Sequence, residues 1–160
     1  MRLPDSHAYR GRSFELELEQ THAEYVQKGF ARIVRLHVPR VFSRRKNCMV
    51  YTQRTLTDYV GFTQGGRVVL LEAKSIKSKK EKTWRPDRQH QFEALVEAAS
   101  YGGLALYIIR RGIDEARLYF PQGHQFGDAV DLEECPLVER QWGPLPWPWL
   151  EVAWVHWNPS

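Results

Sequence analysis

The stretch "TLTDYVGFTQGGRVVLLEAKSIKSKK", residues 55–80, brings Asp58, Glu72 and Lys74 to the ends of two apolar runs joined by a Gly-Gly turn. If Gln64-Gly65-Gly66 is a three-residue hairpin loop with Gly66 left-handed, Thr63 faces Arg67 and Asp58 stands opposite Glu72 on one face. A two-residue Gly-Gly turn would instead pair Asp58 with Ala73, so the register matters. Lys74, two residues beyond Glu72, shares its face by strand alternation. Two carboxylates about 4 Å apart repel by about 4 kcal/mol at an effective dielectric of ~20, so a bare pair takes up a proton or a cation. One lysine offsets only part of that. A hard divalent ion offsets it better: Mg²⁺ accepts one or two carboxylates together with waters and phosphate oxygens, and it acidifies a bound water. Lys74 would then orient that water or neutralise a phosphate as charge builds. That is the chemistry of phosphodiester hydrolysis. The bland reading is a solvated strand end with an incidental salt bridge, because Glu-x-Lys alone is common. The Val68–Leu71 run before it, Asp58 at hairpin register and the basic flanks favour a site.

The elements that must position these residues follow from pattern. Ser13 to Gly29 lacks Pro and Gly until its end and predicts a helix. "FARIVRLHV" and "MVYTQ" read as strands, with the basic "PRVFSRRKN" as a loop or projecting hairpin between them. The opening stretch gives strands Thr55 to Phe62 and Arg67 to Lys74. Pro86 opens a second helix that stops at Gly102-Gly103. "LALYIIR" and "EARLYF" are strands, the first apolar enough to be central and buried. This order implies an α/β mixed sheet flanked by helices. In "WGPLPWPWLEVAWVHW" the prolines forbid a helix up to Trp149, and Leu150 to Trp157 reads as a strand. The segment is expected to wrap the core or a partner subunit, with a base-stacking platform as the alternative.

At 160 residues and 42% hydrophobic content the chain is expected to be a single domain over 1–160, with a core at about 10–120 and a Trp-rich extension over 121–160. Cys48 and Cys135 are too few for a disulfide framework or a cysteine-rich zinc site and fit a reducing interior. The start has no apolar signal core and no stretch approaches the ~20 apolar residues of a membrane span, so a cytoplasmic location and no membrane partner are expected. Net charge is +4 and it is concentrated. Residues 40–54 hold five basic side chains and no acid, and residues 74–88 hold seven against Glu81 and Asp87. A mildly acidic body with two basic segments points to a polyanion, since Lys and Arg that neutralise phosphates release counterions. Arg44, Arg45, Lys46, Lys77, Lys79 and Lys80 are expected to meet phosphates rather than base edges.

The ordered set Arg10-Gly11, Glu15, Asp58-Tyr59-x-Gly61, Glu72-Ala73-Lys74, a basic loop with Trp84 and Pro86, His90-Gln91 and Gly102-Gly103 resembles the PD-(D/E)xK nuclease superfamily. Within it the chain is similar to RecU-type Holliday junction resolvases, from Arg10 to about Phe120. The resemblance implies a restriction-endonuclease-like fold, with Asp58 and Glu72 as metal ligands, the Ala73 carbonyl as a third, and Lys74 as the catalytic lysine. It adds Glu15 from the first helix and Gln91 from the second as catalytic-site residues, and Arg10 and Arg85 as DNA contacts. It implies a Mg²⁺ cofactor, with Mn²⁺ as the alternative, and a homodimer cutting opposed strands of a four-way junction. Thr57 stands where the superfamily carries Pro, and Arg40 to Gln53 is shorter than the projecting stalk of RecU proteins. His90 reads as a hydrogen-bonding helical residue rather than a ligand. Cleavage of flaps, nicks or damaged DNA by the same residues, or a non-catalytic DNA-binding module on the same scaffold, are the alternatives. The second would be expected to have lost one of Asp58, Glu72 or Lys74.

Overall fold

The computed structural model describes residues 7–38, 40–51 and 55–157. In chain order the elements are α1 (His7–Gln27), β1 (Ala31–Arg35), β2 (Arg40–Ser43), β3 (Cys48–Tyr51), β4 (Tyr59–Thr63), β5 (Val68–Ile76) and β6 (Thr83–Trp84). They continue with α2 (Gln89–Ser100), β7 (Leu104–Arg111), β8 (Glu115–Tyr119), β9 (Val130–Asp131), β10 (Leu137–Glu139) and α3 (Trp149–His156). Six strands form one sheet in the order β1-β4-β5-β7-β8-β10, in which only β5 and β7 run parallel. The basic "RVFSRRKN", residues 40–47, lies on the separate β2–β3 hairpin, while β6 and β9 make a second small ribbon. This is the expected mixed sheet flanked by helices.

Strand β7 explains why its sequence is apolar without alternation. All eight of its residues are buried, because helices cover both faces of the sheet at that point. Leu104, Leu106 and Ile108 face the core that also holds Phe14, Leu18 and Tyr25 of α1. Ala105, Tyr107 and Ile109 face Phe92, Leu95 and Ala99 of α2. Helix α2 starts three residues after Pro86, and α1 begins at His7, ahead of the expected Ser13. Gly11 lies within α1, where packing of its later turns outweighs the roughly 1 kcal/mol that glycine costs a helix.

The expected strand over Leu150 to Trp157 is instead helix α3. Its buried residues Trp149, Leu150 and Ala153 follow helical spacing, and the tertiary partners are on α1. The Tyr25 hydroxyl accepts from the Leu150 amide at 3.0 Å, satisfying one of the donors that a helix start leaves open, and donates to Glu151 at 2.6 Å. Trp149 Nε1 donates to His22 Nε2 at 3.2 Å, which requires a neutral imidazole. Burial enforces this by lowering the His22 pKa to about 3. Just upstream, Trp147 is fully buried, packed edge-on against Phe14 with ring centroids 5.3 Å apart. Of the roles expected for the tryptophan segment, the described residues place Trp147 and Trp149 in the core, whereas Trp142 is 91% exposed. Among the described residues no helix is long and apolar enough to cross a membrane.

Candidate active site

The hairpin register is the three-residue alternative. Thr63 N donates to Arg67 O at 2.9 Å, Gly66 has φ +77, and Tyr59 pairs with Leu71. Glycine suits Gly66 because L side chains rarely adopt that conformation. Gly61 is required for a different reason: a Cβ there would run into the backbone of Arg32 on the neighbouring strand. The β4–β5 ladder ends at Tyr59↔Leu71, and the chain at Asp58 leaves the strand, with its carbonyl accepting from the Leu36 amide at 2.8 Å.

Beyond that point side chains hold the two segments together. Asp58 Oδ2 accepts from the Ala73 amide at 3.0 Å, and Glu72 Oε2 accepts from the Asp58 amide at 3.0 Å, so each carboxylate clamps the backbone beside the other. Lys74 Nζ lies 3.0 Å from Glu72 Oε1, 3.1 Å from Asp87 Oδ1 and 3.5 Å from Gln91 Oε1. Glu72 and Gln91 are almost wholly buried, at 2% and 1% exposure. Burial, then the adjacent Asp58, push the Glu72 carboxyl up to about 7 against the pull of Lys74. Burial opposes the charge of Lys74, but Glu72 and then Asp87 outweigh it and hold its pKa above the ordinary value.

Asp58 lines an open cleft of about 1160 Å³ together with Glu15, Arg35, Arg40, Asp87 and His90. Glu15 reaches this cleft from α1, yet its carboxylate is paired with Arg35 of β1 at 2.6 Å rather than with Asp58 or Glu72. His90 lines the cleft near Asp87 and Glu93. Two participants had no sequence signal: Arg35, which also reaches Glu19 at 3.3 Å, and Asp87. Each meets its partner only through the tertiary fold, across strands and loops with no fixed spacing.

The donor set fits a hard divalent cation. The groups that the resemblance implies as ligands offer oxygen only, and the clamping bonds leave acceptor capacity on both the Asp58 and the Glu72 carboxylate. A buried acid beside a second acid also needs positive charge that Lys74 supplies only in part. Among the described residues no three His, Cys, Asp or Glu side chains gather to hold a metal by themselves.

The expected DNA contacts lie on several different elements. Arg44, Arg45 and Lys46 occupy the exposed turn of the β2–β3 hairpin. Lys77 and Lys80 are exposed after β5, while Lys79 is engaged with Asp114 at 2.5 Å. Arg85 donates to the Gly127 carbonyl at 2.5 Å, and the Arg10 carbonyl accepts from the buried Arg110 at 2.5 Å. Neutralising Lys77 and Lys80 together is expected to flatten the slope of log K against log salt by about 1.8, at 0.9 per lost phosphate contact. Lys79→Gln alone should change it little, because Asp114 already compensates that ammonium. Filter binding of duplex DNA across a salt series measures both, and an unchanged slope in the double variant would mean a merely solvated loop.

The fold and site together are those of a six-stranded mixed sheet whose hairpin strands β4 and β5 part at a carboxylate pair, with a lysine two residues on. The chain belongs to the RecU (Recombination protein U) family, whose model matches residues 9–132. Among solved structures it is similar to Hjc of Archaeoglobus fulgidus, a Holliday junction resolvase from an archaeal hyperthermophile, with a TM-score of 0.50 and 17% identity. The match covers 77% of this chain and 89% of that one, and at this identity the likeness is one of fold. No curated protein matches the chain.

Proposed function

We infer that this protein is a Holliday junction resolvase, an endonuclease that recognises branched DNA and hydrolyses phosphodiesters in paired cuts. The observation that carries the reading is the reciprocal Asp58–Glu72 clamp, with Lys74 beside it and Asp58 in the wall of an open cleft, in a chain of the RecU family. The whole of residues 1–160 acts as one nuclease domain, working in the cytoplasm as a homodimer.

Asp58, Glu72 and the Ala73 carbonyl would hold Mg²⁺, or Mn²⁺ in its place, which supplies Lewis acidity at the scissile phosphate and acidifies a water. Lys74 carries the fixed positive charge. Its ammonium is oriented by buried Glu72 and Gln91, and the exposed Asp87 is the partner that yields most readily when a phosphate arrives. Lys74 then stabilises the charge that grows on the phosphoryl oxygens. Glu15, held by Arg35, borders the path of the strand. Arg44, Arg45 and Lys46 on the hairpin and Lys77 and Lys80 on the loop supply affinity for the arms.

A four-way junction presents two like strands related by an approximate two-fold axis, which a two-fold dimer with one site per subunit matches. The test is purified protein with Mg²⁺ on a four-way junction, a flap and a linear duplex of matched sequence, and on a cruciform plasmid. The expected result is a dimer by light scattering, preference for the junction, and linear rather than nicked-circle plasmid. A monomer that cuts flaps and junctions at equal rates would assign the same site to a flap nuclease instead.

A further inference from the structure

Where β4 leaves β5, three side chains replace the missing ladder bonds. Two of them are the carboxylates of Asp58 and Glu72. The third is Thr57, whose hydroxyl donates to the Leu71 carbonyl at 2.6 Å and lies 3.4 Å from that of Tyr59. Thr57 is buried, at 1% exposure, so neither substrate nor solvent reaches it. Its bond is the shortest of the three and the only one made by a group that carries no charge and has no other task. It fixes the residue immediately before Asp58 to the residue immediately before Glu72. A rotation of the 57–58 segment would therefore move Asp58 Oδ2 off the Ala73 amide and the Asp58 amide off Glu72 Oε2 together.

We propose that Thr57 is a positioning residue that sets the relative placement of Asp58 and Glu72, and through it the site's affinity for a divalent cation. This rests on the reading that those two carboxylates hold the cation. Groups that orient metal ligands from behind typically matter by about 10–100-fold in affinity or activity. Because Thr57 is buried, its loss should act on turnover and on the cation but not on DNA affinity.

The test is calorimetric titration of the full chain with Mn²⁺ alone, without DNA, for the wild type, Thr57→Val, Thr57→Ser and Asp58→Asn, beside junction cleavage kinetics. Thr57→Val keeps the shape and loses the hydroxyl. It should bind Mn²⁺ about 10-fold more weakly and lose about 10–100-fold in kcat at unchanged KM, and Thr57→Ser should restore both. If Thr57→Val does not fold, Thr57→Ala and Thr57→Ser differ by the hydroxyl alone and give the same contrast. Wild-type Mn²⁺ affinity and kcat in the variants that lack the hydroxyl would overturn the proposal, as would a Ser variant as impaired as Val. Equal Mn²⁺ binding by the wild type and Asp58→Asn would instead overturn the cation reading itself.

Discussion

Asp58→Asn and Glu72→Gln are each expected to abolish junction cleavage while leaving junction binding within a few-fold. In the proposed mechanism the two tasks fall to different residues: the carboxylates clamp each other's backbone and would hold the cation, whereas the exposed basic residues of the hairpin turn and of the loop after β5 would supply affinity for DNA. Asn and Gln keep a carbonyl oxygen for the Ala73 and Asp58 amides, so the backbone connections persist while the charge that a divalent ion needs is lost. Glu72→Gln carries a second expectation. Because Glu72 is 2% exposed and pressed by Asp58, replacing it with a neutral isostere relieves a desolvation and repulsion cost, and the cation-free variant should be no less stable than the wild type. Steady-state cleavage, gel-shift affinity and the urea midpoint measure the three quantities. Full activity in either variant would sink the mechanism. A collapse of binding together with the urea midpoint would mean that these residues hold the fold rather than perform the chemistry.

Trp147→Ala should lower stability by about 3–5 kcal/mol, the usual loss for truncating a buried aromatic. Trp147 is fully buried against Phe14, its Nε1 donates to Glu17 Oε2 at 2.7 Å, and its amide donates to Thr21 Oγ1 at 3.1 Å. Glu17 remains paired with Arg140 at 3.1 Å, so the loss is chiefly one of packing and a cavity beneath α1. For a chain of this size that is a fall in Tm on the order of 10 °C, a large part of a typical 5–15 kcal/mol. Trp142→Ala provides the contrast. That ring is 91% exposed and only approaches the Arg140 guanidinium, at 4.7 Å, so its loss should cost less than about 1 kcal/mol. Thermal unfolding of the two variants side by side checks the difference. Equal, small effects would mean that the segment after β10 is not part of the core.

What the sequence by itself determined is what short-range chain geometry controls. The loop length and the left-handed glycine at position 66 impose the hairpin register, and period-two alternation puts Glu72 and Lys74 on one face of β5; the strand expected from Thr55 begins only at Tyr59, so Asp58 joins them from beyond the ladder through the bonds it shares with Ala73 and Glu72. The unbroken apolar run of β7 likewise announces a strand covered on both faces. Tertiary structure decided everything that depends on who arrives from far away. Leu150 to Trp157 lacks a strong period of its own, and it is a helix because α1 offers Tyr25 to its first turn, some 125 residues back along the chain. Trp142 and Trp147 are the same residue type in the same segment, and only the docking against Phe14 and Glu17 makes one core and the other surface. The resemblance implied Glu15 as a catalytic-site residue from the first helix, but neither its pairing with Arg35 nor that of Asp87 with Lys74 was legible in the sequence. Ion pairs between separate elements follow no spacing rule, because their distance is set by how the sheet and helices pack rather than by the covalent chain.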